Sequence, residues 1–87
     1  METIILTSDN IRKVGNILYK IRVDDRQISQ FDVAGKMGKG QGQISGMENN
    51  RKIPGLKNII SYLDAVGGWK LAIVRAQDQP ADQQATE

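Results

Sequence analysis

At 87 residues, 39% apolar and 25% charged, the chain has room for one small soluble domain and no second core of useful size. The absence of cysteine and histidine excludes disulfides, thiolate metal sites and the commonest general base, so no enzyme is expected, and no apolar run is long enough to span a membrane or to act as a signal peptide. The net charge of +2 is uneven: residues 35–57 set Lys36, Lys39, Arg51, Lys52 and Lys57 against Glu48 alone, while residues 76–87 carry only acids, an arrangement that suits a polyanionic partner.

In chain order, Glu2 to Leu6 ("ETIIL") is short, apolar and β-branched, and reads as an edge strand or arm. "TSDN" offers capping residues. From Asn10 onward Ile11, Val14, Ile17, Leu18 and Ile21 share one helical face, so a first helix is expected to about Val23, broken by "DDR". Asp24 and Asp25 have no third acid or histidine nearby and read as a loop rather than a metal site.

Ser29 and Asp32 have capping-box spacing, and Ile28 and Val33 have hydrophobic-staple spacing. A second helix over residues 30–37 follows, with Val33, Ala34 and Met37 inward and Gly38 as its left-handed cap. Phe31, near the exposed start of that helix, is expected to cover the first helix or else to meet another protein. After a short turn, Gln41 opens a third helix with Ile44 and Met47 inward. Pro54 is expected to be the first residue of a fourth helix, on which Leu56, Ile59, Ile60, Leu63 and Val66 recur at helical spacing and which Gly67-Gly68 ends. Tyr19 and Tyr62 are expected at the edge of the core. Trp69 to Val74 ("WKLAIV") reads as a strand, and residues 75–87 as a disordered polar tail following a domain over 1–74.

The glycine-rich run "GKMGKGQGQISG" (residues 35–46) looks like a phosphate loop by composition and fails by context. Both Gly-Lys pairs are followed by Met or Gly, not Ser or Thr, and a capped helix precedes the run where a strand is needed. Two short helices joined at a glycine turn fit a helix-turn-helix, whose second helix enters the DNA major groove. The third helix would then present Gln41, Gln43 and Ser45 to base edges, while Lys39, Arg51 and Lys52 flank it within reach of phosphates. Gly42 and Gly46 leave that helix with an unusually bare surface.

The stretch from Ile28 to Gly68, about half of the chain, resembles the XRE helix-turn-helix family of Cro and the phage repressors. Ser29-Gln30, Ala34, Gly38, Ile44-Ser45, Glu48-Asn49 and Pro54 carry the likeness by order and spacing. It implies a mainly helical bundle without a cofactor, acting as a homodimer on inverted-repeat operators in double-stranded DNA. A cytoplasmic, nucleoid-associated protein of bacterial or phage origin is implied as well. The resemblance also implies that Gln30 and Gln41 match glutamines that contact backbone and base, one buttressing the other. Gln43 and Ser45 match variable specificity positions, and Asn49 and Arg51 lie in the phosphate-holding loop. Asn50 stands where the family has glycine and still tolerates left-handed backbone.

The terminal segments are similar in layout to HipB-type antitoxins, in which the strands of two subunits form a small shared sheet. A lone "WKLAIV" strand would leave its edges unpaired, so pairing with "ETIIL" or with a second copy is expected, with Trp69, Leu71 and Ile73 at the dimer interface. Two functions follow as expectations. One is a dimeric transcriptional repressor; the other is an antitoxin that binds a toxin protein and autoregulates its operon.

Overall fold

The computed structural model describes residues 2–76. Its chain order is a 3₁₀ turn (Ile11–Lys13), helix α1 (Val14–Lys20), a π-helical turn (Ile21–Arg26), α2 (Gln30–Met37), α3 (Gln41–Glu48) and α4 (Leu56–Val66). Helix α3 packs against both α1 and α2, and α2 also packs against α4. The shared core is Val14, Leu18, Ile21, Val33, Ala34, Ile44, Met47, Ile59, Tyr62, Leu63, Ala65 and Val66. Every one of the four α-helices contributes to it, so none buries its apolar stripe without the others.

The expected first helix is continuous in direction but not in winding. Asn10 does not cap it: its Oδ1 accepts from the Thr7 N–H (2.7 Å) and its Nδ2 donates to the Ile5 carbonyl (2.8 Å), tying the N-terminal arm to the helix start. "DDR" does not break the helix either. The wider π turn carries the chain through Arg26 and ends at Gln27 in left-handed backbone (φ 54°), with the Ile28 N–H bonded back to the Arg22 carbonyl at 3.1 Å. The "VDDR" stretch lacks a glycine, so no residue type marks Gln27 for this role.

Helix α2 forms as its signals require. The Ser29 hydroxyl accepts from the Asp32 N–H at 3.1 Å. At the other end Gly38 is left-handed (φ 66°), and the Lys39 N–H reaches the Ala34 carbonyl (2.9 Å) while the Gly38 N–H reaches the Gly35 carbonyl (3.2 Å). That pair of bonds is a Schellman cap, and it turns the chain within three residues into α3.

Helix α4 begins two residues later than expected, because Gly55 rather than Pro54 is the extended capping residue (φ −69°, ψ 161°). Its inward face also differs. Leu56 and Ile60 are exposed, and Tyr62 is fully buried rather than at the core edge. Phe31 is 73% exposed and so does not cover the first helix.

No strand occurs among the described residues: "ETIIL" and "WKLAIV" are not paired with each other, and a single chain supplies no other partner. The start of the second segment folds back on its own domain. Trp69 and Leu71 are half-buried against the core, the Trp69 Nε1–H donates to Asp25 Oδ2 (2.8 Å), and Arg26 donates to the Val66 carbonyl at the end of α4 (3.2 Å). Ile73 is fully exposed. The tail expected over 75–87 lies outside the described residues from 77 onward.

Candidate nucleic-acid interface

The outward surface of α3 rests on a buried polar network. Glu48, at the last turn of α3, is 5% exposed and Arg22, in the π turn, is 7% exposed. Arg22 donates from Nε to Glu48 Oε2 (2.7 Å) and from NH2 to Oε1 (2.9 Å), a bidentate pair, and its NH1 donates to the Ile28 carbonyl (2.8 Å). The Tyr62 hydroxyl, from α4, donates its single proton to Oε2 of the same carboxylate, and Gln30 Nε2, from α2, donates to Oε1 at 3.0 Å. Four donors from three elements, the π turn, α2 and α4, thus fill the acceptor sites of one carboxylate on α3, which satisfies a charge that would otherwise be expensive to bury.

From this centre the network runs outward. Gln30 Oε1 accepts from Gln41 Nε2 at the start of α3. Gln41 is therefore held by Gln30, which is held by Glu48, which is fixed to Arg22. Among the described residues no partner takes the carbonyl or the second N–H of the half-buried Gln41 side chain, which leaves it one acceptor and one donor.

The ionisation of the network follows from its contacts. Burial alone would raise the Glu48 carboxyl, but the hydrogen bonds from Arg22, Tyr62 and Gln30 outweigh it and hold the group below the ordinary carboxylate range. Burial, reinforced by the neighbouring Glu48 carboxylate, raises the Tyr62 phenol. A carboxyl lowered on folding contributes stability that is present above its unfolded value and lost as pH falls through the folded one; a phenol raised on folding contributes below its unfolded value and loses that contribution as pH rises. Thermal unfolding measured across a pH series should therefore give a plateau around neutrality. The midpoint should fall on the acid side below about pH 4.3, and the acid limb should be absent from a Glu48→Gln variant.

The other expected site residues lie on α3 and in the segments that flank it. Ser45 is half-exposed on α3, and Gln43 is exposed, with its Oε1 accepting from the Gly40 N–H at 3.0 Å. Lys39 lies in the α2–α3 turn. Asn49 caps α3 at its C-terminus and accepts from the Arg51 N–H (3.1 Å), which orders the loop bearing exposed Arg51 and Lys52. Asn50 takes left-handed backbone (φ 63°), as its glycine-like position requires, and donates to Asn16 at 2.8 Å. Gly42 and Gly46 sit opposite Ile44 and Met47 on the helix, so the middle of the outward face carries no side chain.

From the sequence, Tyr62 is expected only at the core edge, Glu48 is named without a role and Arg22 is not singled out. The signal was present: Glu48 falls four residues after Ile44, and Arg22 four residues after Leu18, which places both charges on inward stripes where an unpaired ion is not tolerated. Among the described residues no group of three or more acidic side chains is arranged to hold a metal, and no helix is long and apolar enough to cross a membrane. The family model described as Helix-turn-helix, HTH_3, matches residues 18–68. No curated protein and no solved structure matches the chain.

Proposed function

This chain belongs to the helix-turn-helix family HTH_3, a family of DNA-binding regulatory domains rather than of enzymes, and from that premise we propose that it is a sequence-specific transcriptional repressor acting as a homodimer on an inverted repeat in double-stranded DNA. Helix α3 lies in the major groove, with Gln41 and Ser45 reading base edges. Gln30, Lys39, Asn49, Arg51 and Lys52 hold the phosphates on either side. The observation that carries this reading is the Gln41–Gln30–Glu48 chain of hydrogen bonds, which fixes an amide with a free donor and acceptor at the leading end of α3. That pairing matches the N6 and N7 positions of adenine. The exposed Ile73 and half-exposed Val74 favour pairing of the C-terminal segments of two copies, since among the described residues neither packs on the core.

The test is an electrophoretic shift on the DNA upstream of the protein's own gene. A specific complex is expected. Lys39, Arg51 and Lys52 in each of two subunits suggest about six phosphate contacts, so affinity should drop roughly 10³-fold between about 50 and 200 mM salt. Binding that ignores salt would contradict the proposal.

A second reading, an antitoxin that also binds a toxin protein, is favoured by Phe31. This ring stands 73% exposed beside a shallow groove lined by Ile28, Asp32, Gly35 and Lys36. Exposed aromatic rings of this kind are more frequent at protein contacts than on free surface. A toxin-like gene beside this one, and a complex lost on Phe31→Ala with DNA binding retained, would distinguish the two.

A further inference from the structure

Gly40 opens α3 in extended backbone (φ −79°, ψ 153°) and has no side chain with which to accept from the amides of the first turn. The turn is closed from the other direction. Gln43 Oε1 accepts from the Gly40 N–H at 3.0 Å, while the Gln43 N–H donates to the Gly40 carbonyl, also at 3.0 Å. This is the half of a capping box that the third helical residue supplies, and with glycine at the cap it is the only side-chain half available.

We infer that Gln43 is a positioning residue that closes the first turn of α3, and that base readout by this helix proceeds without it. The inference rests on the DNA-binding reading above and revises the reading set that the sequence suggested. A glutamine that bridges adenine must accept from N6 and donate to N7 together. The Gln43 oxygen is held back along the helix by its bond to the Gly40 N–H, which uses one of its two lone pairs and ties the amide to the cap. An amide tied in this way can give an N–H to a phosphate oxygen but is not free to turn its oxygen and nitrogen together onto one adenine. Reading a base with the whole amide would open the turn that sets the angle of α3 in the groove. Gln41 is the contrasting case, because its bond to Gln30 uses one N–H and leaves the carbonyl free. With Gly42 and Gly46 bare, the readers on α3 are Gln41 and Ser45, so the recognised half-site is short.

The experiment combines thermal unfolding with selection of bound sequences from a pool of random duplexes, for the full chain and three variants. Gln43→Ala should lower the unfolding midpoint by several degrees and still enrich the wild-type consensus at reduced affinity. Gln43→Glu keeps the acceptor at the helix N-terminus, where a negative charge is favourable, and should keep the midpoint. Gly40→Ser added to Gln43→Ala should restore the midpoint and most of the affinity, since the cap position has extended backbone and a Cβ there meets nothing within 4 Å. A Gln43→Ala consensus altered at a base pair, or an unchanged midpoint, overturns the inference. Should the wild-type protein enrich no sequence, the DNA-binding proposal fails, while a midpoint lost in Gln43→Ala and restored by Gly40→Ser still upholds the cap.

Discussion

Replacing Glu48 by alanine is expected to destabilise the protein by about 3–5 kcal/mol, the usual cost of removing one partner from a buried ion pair. A domain of this size has only about 5–15 kcal/mol in total, so the unfolding midpoint should drop by roughly 10–40 °C. The reason is specific to the geometry. Without the carboxylate, the buried Arg22 guanidinium keeps one hydrogen-bond partner, the Ile28 carbonyl; the Tyr62 hydroxyl is left with the Leu18 carbonyl at 3.1 Å, and the half-buried Gln30 amide loses its acceptor. Glu48→Gln should be milder but still damaging, because the neutral amide faces the Arg22 donors with one oxygen where there were two. Urea denaturation read by circular dichroism measures both effects. A loss below about 1 kcal/mol for Glu48→Ala, the size expected of a surface pair, would show that the network does not hold the fold.

The glycines of α1 and α3 should respond to larger side chains with opposite signs. A Cβ at Gly15 would lie 2.5 Å from the Met47 carbonyl oxygen and 2.7 Å from Asn50 Oδ1. The nearer of these is a backbone oxygen, so the clash cannot be relieved by a rotamer change. Gly15→Val is expected to cost about 3 kcal/mol through overpacking between α1 and the end of α3. At Gly42 and Gly46 an added Cβ meets nothing within 4 Å. Alanine there should stabilise the free protein by roughly 1 kcal/mol per site, through helix propensity alone. Denaturation midpoints of the three variants decide the matter, and a stabilising Gly15→Val would disprove the close approach of α1 to α3.

Local chemistry made α2, its two caps and the start of α3 legible in the sequence. Ser29 with Asp32, and Gly38 after Met37, are short-range signals that tertiary packing did not override. The helix ends were harder. Gln27 carries no sequence mark of left-handed backbone, and Gly55 competes with Pro54 for the start of α4. Helical periodicity of apolar residues placed Leu56 and Ile60 inside, yet Tyr62 took the interior position because its hydroxyl has a buried carboxylate to donate to. The candidate interface was legible as a set of polar residues. Their division of labour was not: whether a glutamine reads DNA or caps a helix depends on where its oxygen points, and Gln41 and Gln43 are alike in one-dimensional pattern.

The central claim, that α3 reads DNA through an amide held from behind, is tested most directly by the affinity of Gln41→Ala for the protein's own operator set against its affinity for an unrelated duplex of equal length. A loss of about 10-fold or more is expected on the operator, as for removal of a bidentate base contact worth about 1–3 kcal/mol, with little change on the unrelated duplex. Equal losses on both would contradict it and reduce Gln41 to a contributor to general electrostatic or structural binding.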